Sequence, residues 1–138
     1  MGLIKYILFF VILCLSLTGC RLNAQPVDIE ATFTWTAMGD DGILGQASEY
    51  DMRWSLSSDS LTDHFNDCAA MTGMPLPELY GTVQSYTWVT TLEVGQHYYF
   101  AIKTADEVPN WSDISNIAFI YIPDDTPPAV ILTLEVTL

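Results

Sequence analysis

From residue 29 onward apolar side chains recur at every second position in short runs, each closed by turn-forming residues. "ATFTWTA" (31–37) sets Ala31, Phe33 and Trp35 against threonines, and "SEYDMRWS" (48–55) sets Tyr50, Met52 and Trp54 against Asp51, Arg53 and Ser55. "HYYFAIKTA" (97–105) places Tyr98, Phe100 and Ile102 on one side and Tyr99, Ala101 and Lys103 on the other. "VQSYTWVTT" (83–91), whose inward face the pattern leaves ambiguous, and "ISNIAFIYI" (114–122) complete the series. A period of two puts alternate side chains on opposite faces of a strand, and several short strands between turns predict an all-β sandwich or barrel. One stretch breaks the period. In "LTDHFNDCAAM", Leu61, Phe65 and Cys68 or Ala69 fall at helical spacing behind a capping Thr62, with Asp63 in the first turn. This predicts one short helix, followed by a loop carrying Pro75 and Pro77.

Composition changes this picture only at its margins. The chain has 138 residues, half of them apolar, which suits one domain with a real core. Four basic residues face 17 acidic ones, a formal charge of −13, so no basic patch exists for a phosphate backbone and nucleic acid is excluded as a partner.

The N-terminus is different in kind. "MGLIKYILFFVILCLSLTGC" carries Lys5, then an apolar run from Tyr6 to Leu15. That run is about half of the roughly 20 residues a membrane-spanning helix needs, and fits the apolar centre of a secretory signal. "LTGC", residues 17–20, resembles the bacterial lipobox, which implies a signal peptide over 1–19 and a mature chain beginning at Cys20. By that resemblance Cys20 carries covalent lipid (palmitate among its acyl chains), anchoring the protein to a membrane; two or more chains make such an anchor stable. With Arg21 following, the same resemblance implies the cell envelope, and the outer membrane in a Gram-negative host. The alternative is an ordinary signal peptide cut after Ala24. Cys14 leaves with the signal, so Cys68 has no disulfide partner and reads as a small buried hydrophobe.

The order of motifs in the remainder resembles a bacterial fibronectin type III-like domain. The matching stretches are "WTAMGDDGILGQASEYDMRWS" (35–55), "LEVGQHYYFAIKTADEVPNWSDISN" (92–116) and "DDTPPAV" (124–130). The resemblance implies an all-β, immunoglobulin-like (fibronectin type III) sandwich over 29–123, after a tether over 20–28. It gives structural roles to Trp35 in the core and to Leu92 and Tyr98 in a tyrosine corner, where the phenol bonds back to the turn it spans. The family's first strand has little room before Ile29 and is expected to be short or missing. "VILTLEVTL" (130–138) alternates Leu132, Leu134, Val136 and Leu138 against Thr133, Glu135 and Thr137. It follows a linker, so 124–138 reads as the start of a further domain or as a strand folding back onto an open edge.

Candidate chemistry is sparse. Asp40 and Asp41 stand side by side between glycines, in a loop that the resemblance places at the same end as Asp106 and Glu107. Calcium is the natural guest of such a composite acidic cluster, although Asp-Gly pairs are also ordinary turn chemistry. No metal is assigned with certainty, and no cofactor beyond covalent lipid is expected. As paired catalytic acids these residues have no pocket that the sequence suggests, His64 and His97 lack zinc-binding spacing, and neither a phosphate loop nor a Gly-x-Ser-x-Gly elbow occurs, so no catalytic residue is assigned. Trp54, Trp88, Trp111 and Tyr99 are the aromatic residues able to stack on sugars if they lie on a surface. The sequence thus predicts a non-enzymatic, membrane-anchored lipoprotein carrying an interaction or spacer module, with protein or polysaccharide at the cell surface as partner. The alternatives are an accessory fragment of a larger secreted hydrolase or carbohydrate-binding protein, and a calcium-stabilised adhesion module.

Overall fold

A computed structural model describes residues 26–108, 110–125, 127, 132 and 135–137. The signal expected over 1–19, Cys20 with its lipid, and most of the run 130–138 lie outside the described residues. Within 130–138, Leu132, Glu135, Val136 and Thr137 are described, and none of them is in a strand.

The described chain forms an immunoglobulin-like all-β sandwich. Strand β1 (Pro26–Thr36) pairs antiparallel with β4 (Val83–Glu93) in a two-stranded sheet. The facing sheet has the order β3-β2-β5-β6, with β2 (Glu49–Ser55), β3 (Ala69–Ala70), β5 (Gln96–Ala105) and β6 (Ala118–Ile122). No strand precedes β1 among the described residues. β1 itself begins earlier than its alternation implies. Val27 pairs with Leu92, and Asp28 accepts a hydrogen bond from Thr91 Oγ1 at 2.6 Å. Pro26, Val27 and Asp28 therefore belong to the sheet rather than to the connecting stretch expected over 20–28.

The period-two faces meet between the sheets. Met52, Leu92, Tyr98, Phe100 and Ile122 are buried there, with Ile29, Phe33, Trp35, Trp54 and Trp88 packed around them. The rings interlock: Phe33 lies 4.8 Å from Phe100, Trp88 5.9 Å from Phe100 and Trp54 6.0 Å from Trp88, each centroid to centroid. Such tilted and edge-on pairs add about 0.5–1.5 kcal/mol each beyond the area they bury. Register settles the face of β4 that alternation left open. Gln84, Tyr86, Trp88 and Leu92 point inward. The β4–β5 turn is closed by Tyr98, whose hydroxyl accepts from the Glu93 N–H at 2.9 Å and donates to the Glu93 carbonyl at 3.4 Å.

Two expected elements differ in detail. The helix, α1, spans Ser58–Asp63 and is followed by a single 3-10 turn, Phe65–Asp67. Ser57, not Thr62, is the N-cap residue, and Asp59 is the acid of the first turn. Thr62 sits inside the helix with its Oγ1 bonded to the Ser58 carbonyl at 3.3 Å. The apolar spacing nevertheless does its work, because Leu61 and Phe65 are buried against Ala101, whose small side chain lets α1 lie close to the outer face of β5. Arg53 holds this cap down. Its guanidinium pairs with Asp51 (2.9 Å), reaches the carbonyls of Asn66 and Cys68, and lies 5.4 Å from the Phe65 ring centroid. The strand expected over 114–122 begins only at Ala118. Upstream of it, Ser112 and Ser115 hydroxyls take the Thr104 and Ile102 N–H groups, so side chains replace part of the backbone ladder.

Candidate functional site

The end of the sandwich opposite the β4–β5 turn is open. A cavity of about 590 Å³ lies there, walled by the end of β1, the start of β2, the end of β5 and the 110–115 stretch. Trp35, Tyr50 and Trp111 form its aromatic walls, and Asp40 and Asp106 stand at its rim.

Local sequence explains how Asp40 gets there. "GDDGILG" folds into a small hairpin of its own, with Gly39 paired to Gly42 and Asp41 to Leu44. Gly39 is obligatory because a Cβ there would sit 2.2 Å from the Leu44 carbonyl oxygen. Gly45 turns the chain with φ of +75°, a conformation that L side chains rarely adopt. Ala37 and Gly45 then bond to the 80–82 stretch, locking the hairpin to the head of β4.

The four acids expected to share this end do so, since Asp40 feels the charges of Glu107, Asp41 and Asp106, but they are engaged differently. Asp40 comes beside Glu107 across the two loops. Contact with the Glu107 carboxyl raises its pKa first, followed by burial and the charges of Glu107, Asp41 and Asp106. Asp106 is turned inward on its own loop. Its Oδ1 accepts from the N–H groups of Asn110 (2.8 Å) and Val108 (3.0 Å), and its Oδ2 accepts from Asn110 Nδ2 (2.7 Å). Those bonds, the Asn110 N–H first, lower its pKa. Asp41 is exposed in the turn. Among the described residues no group of three or more His, Cys, Asp or Glu side chains is placed to hold a metal ion.

Two polar atoms of this end are buried without a hydrogen-bond partner among the described residues, Trp35 Nε1 and Asp40 Oδ1. Beside them lies a polar network that alternation did not reveal. Buried Gln84 accepts from the Tyr50 hydroxyl (2.7 Å) and the Glu78 N–H (3.1 Å), and donates to the Leu76 carbonyl (2.9 Å). Burial pushes the Tyr50 phenol up; contact with the Trp35 indole opposes that, and the charge of Glu78 adds to it. The signal for Gln84 was a lone amide on the inward face of a strand, which only a partner from elsewhere in the chain can satisfy.

The aromatic residues divide. Trp54 and Trp88 face each other in the core, and Trp111 lines the cavity. Tyr99 lies on the outer face of β5 in a strip with His97, Phe119 and Tyr121. His97 and Tyr99 stack at 6.2 Å, and the His97 and Tyr121 centroids are 4.7 Å apart. Phe119 and Tyr121 are half or more exposed.

The described residues thus form an all-β sandwich with an open, aromatic-walled end. Its sequence is similar to calcium-activated chloride channel regulators of mammals. Regulator 1 of Macaca mulatta is 37% identical over 119 residues, spanning 79% of this chain and 13% of that protein. Regulator 1 of Homo sapiens is 37% identical over 101 residues (69% and 11%), and human regulator 2 is 29% identical over 123 residues (78% and 13%). The chain therefore spans about an eighth of the length of these relatives. No protein-family model matches it, and no solved structure does.

These relatives are mammalian, and they overturn the bacterial reading. A bacterial fibronectin type III-like lipoprotein, palmitate at Cys20 and a cell-envelope or outer-membrane location are all withdrawn. The physical reason is plain. Four residues after an apolar run carry little information, and strand alternation with a tyrosine corner specifies a sandwich without specifying its lineage. The relatives' names are those of regulators rather than enzymes, in agreement with a non-enzymatic module.

Proposed function

We propose that the chain is a non-catalytic interaction module, equivalent to the one sandwich-sized stretch it matches within the much longer calcium-activated chloride channel regulators. The observation that carries this reading is 37% identity concentrated in 13% of a regulator's length. Such a pattern fits a module that contributes a contact surface to a larger regulator. A chimera tests it. Residues 26–123 of this chain replace the matching stretch of human regulator 1, and calcium-activated chloride current is recorded in cells expressing it. Current at the parent's level is expected; a chimera that reaches the parent's expression level and folds, yet fails to support the current, rejects the reading.

The exposed strip of His97, Tyr99, Phe119 and Tyr121 favours a second reading, in which the partner is a polysaccharide. Flat rings on a sheet face suit the apolar faces of sugars, and two phenols and an imidazole supply polar contacts. Affinity electrophoresis in gels containing neutral polysaccharides decides it. Retardation abolished by Phe119→Ala with Tyr121→Ala supports this reading, and unretarded wild-type protein rules it out for the polysaccharides used.

A further inference from the structure

β1 is an eleven-residue edge strand, and its inward side chains are not fully covered. Ile29, Phe33 and Trp35 belong to the core layer yet remain only half-buried. The cause is a groove of about 580 Å³ running between β1 and β6, the edges of the two sheets on this side. Ile29, Phe33 and Trp35 line one wall, and Ala118, Ile120 and Ile122 the other. The free side of β4 is in a different state. There Tyr86 and Gln84 bond through their side chains to the 72–78 stretch. An uncovered edge with apolar residues beneath it is a template for another strand.

The sequence carries a segment of matching length and strand-like alternation. "VILTLEVTL" alternates four large apolar residues against Thr133, Glu135 and Thr137. Leu132 and Val136 are each 89% exposed, so neither side chain is seated on the domain.

We propose that two copies of this chain associate by strand donation, residues 130–138 of each lying along the free edge of β1 in the other. One antiparallel register satisfies every position. Leu132, Leu134, Val136 and Leu138 oppose Trp35, Phe33, Ala31 and Ile29 over the groove, while Thr133, Glu135 and Thr137 oppose Thr34, Thr32 and Glu30 on the outer face. No like charges meet in that register, whereas a shift of two residues sets Glu135 against Glu30. A shift of one residue turns the apolar face to solvent. The repeated antiparallel pairing fits a closed two-fold dimer.

Sedimentation velocity of the full chain across a micromolar concentration series gives the first test. A monomer–dimer equilibrium is expected, and Leu132→Asp with Val136→Asp abolishes the dimer without touching the fold, because both side chains are exposed. Cross-linking gives the second. Chains carrying Thr32→Cys are mixed with chains carrying Glu135→Cys under mild oxidation, each variant alone serving as the control for the native cysteines. A disulfide-linked species of twice the mass, specific to the mixture, is expected. A wild-type chain that stays monomeric overturns the proposal. So does a dimer that survives the double aspartate variant, which places the contact elsewhere. So does a disulfide formed within single chains carrying both cysteines while the protein remains monomeric, which places the strand on its own domain.

Discussion

The two ends of this sandwich are built from the same strands and solve opposite problems. At the β4–β5 turn, the Tyr98 hydroxyl at the tip of a core ring is bonded twice to Glu93, within five residues of itself. At the other end Trp35 Nε1 and Asp40 Oδ1 are buried without partners among the described residues, and two carboxylates from different loops lie side by side. The closed end is arranged for stability, since local partners satisfy it whatever the rest of the molecule does. The open end instead gathers polar groups from separate loops around an aromatic-walled cavity. Mutations should therefore separate the two: a change at the closed end removes a bond made locally, whereas a change beside the open end strips several partners drawn from distant segments.

The largest effect belongs to the layer that both ends share. Phe100 is 2% exposed and touches the rings of Phe33 and Trp88. Phe100→Ala should cost about 3–5 kcal/mol, through lost transfer energy and the cavity left behind. Equilibrium urea unfolding measures it, and a loss below about 1 kcal/mol would mean that the sheets are not packed through these rings.

Next comes the network beside the open end. Gln84→Ala leaves the Tyr50 hydroxyl, the Glu78 N–H and the Leu76 carbonyl without their partner, and should cost about 1–3 kcal/mol. Since Gln84 ties the 76–78 stretch to β4, amide hydrogen exchange should quicken there first. Tyr98→Phe keeps the ring and removes the hydroxyl from the closed end, for an expected loss of about 1 kcal/mol. If Tyr98→Phe proved much more damaging than Gln84→Ala, the contrast between a locally satisfied end and a remotely satisfied one would fail.

Legibility in the sequence divides along the same line, local against remote. The strands were legible because burial on one face forces period two, as at Phe33, Met52 and Phe100. The tyrosine corner was expected from the resemblance alone; the bonds of Tyr98 to Glu93 are local, within five residues. Gln84 was not legible, because its partners come from Tyr50 and the 76–78 loop, and separation along the chain hides them. The start of β6 was misplaced because Ser112 and Ser115 bond to β5 through their hydroxyls, leaving an extended, strand-like sequence outside the ladder. Asp106 was counted with the acid cluster although Asn110, four residues on, engages both of its oxygens. Lineage was the least legible property, because packing physics constrains a fold far more tightly than an origin.

The smallest effect is also the sharpest test of the open end. Asp40 has a pKa raised above its usual 3.8, so the folded state favours its protonated form. The stability this contributes is complete below 3.8 and is lost as pH rises through the raised value, leaving repulsion with Glu107 at neutral pH. Asp106 runs the other way. Its pKa is lowered, so its contribution is present above 3.8 and is lost as pH falls through the lowered value. Asp40→Asn should therefore raise the melting temperature at neutral pH and have almost no effect below pH 3.8, while Asp106→Asn should lower it at neutral pH, with the deficit closing on acidification. Exposure and salt keep both effects small, and added salt should shrink the Asp40→Asn gain. Calcium supplies the discriminating arm. If millimolar calcium stabilises the wild type by several degrees and Asp40→Asn forfeits that gain, the paired carboxylates hold a cation and their repulsion is not the resting state. If calcium leaves both proteins unchanged, the crowding of Asp40 against Glu107 is a standing cost of this end, which a basic group on a partner would relieve.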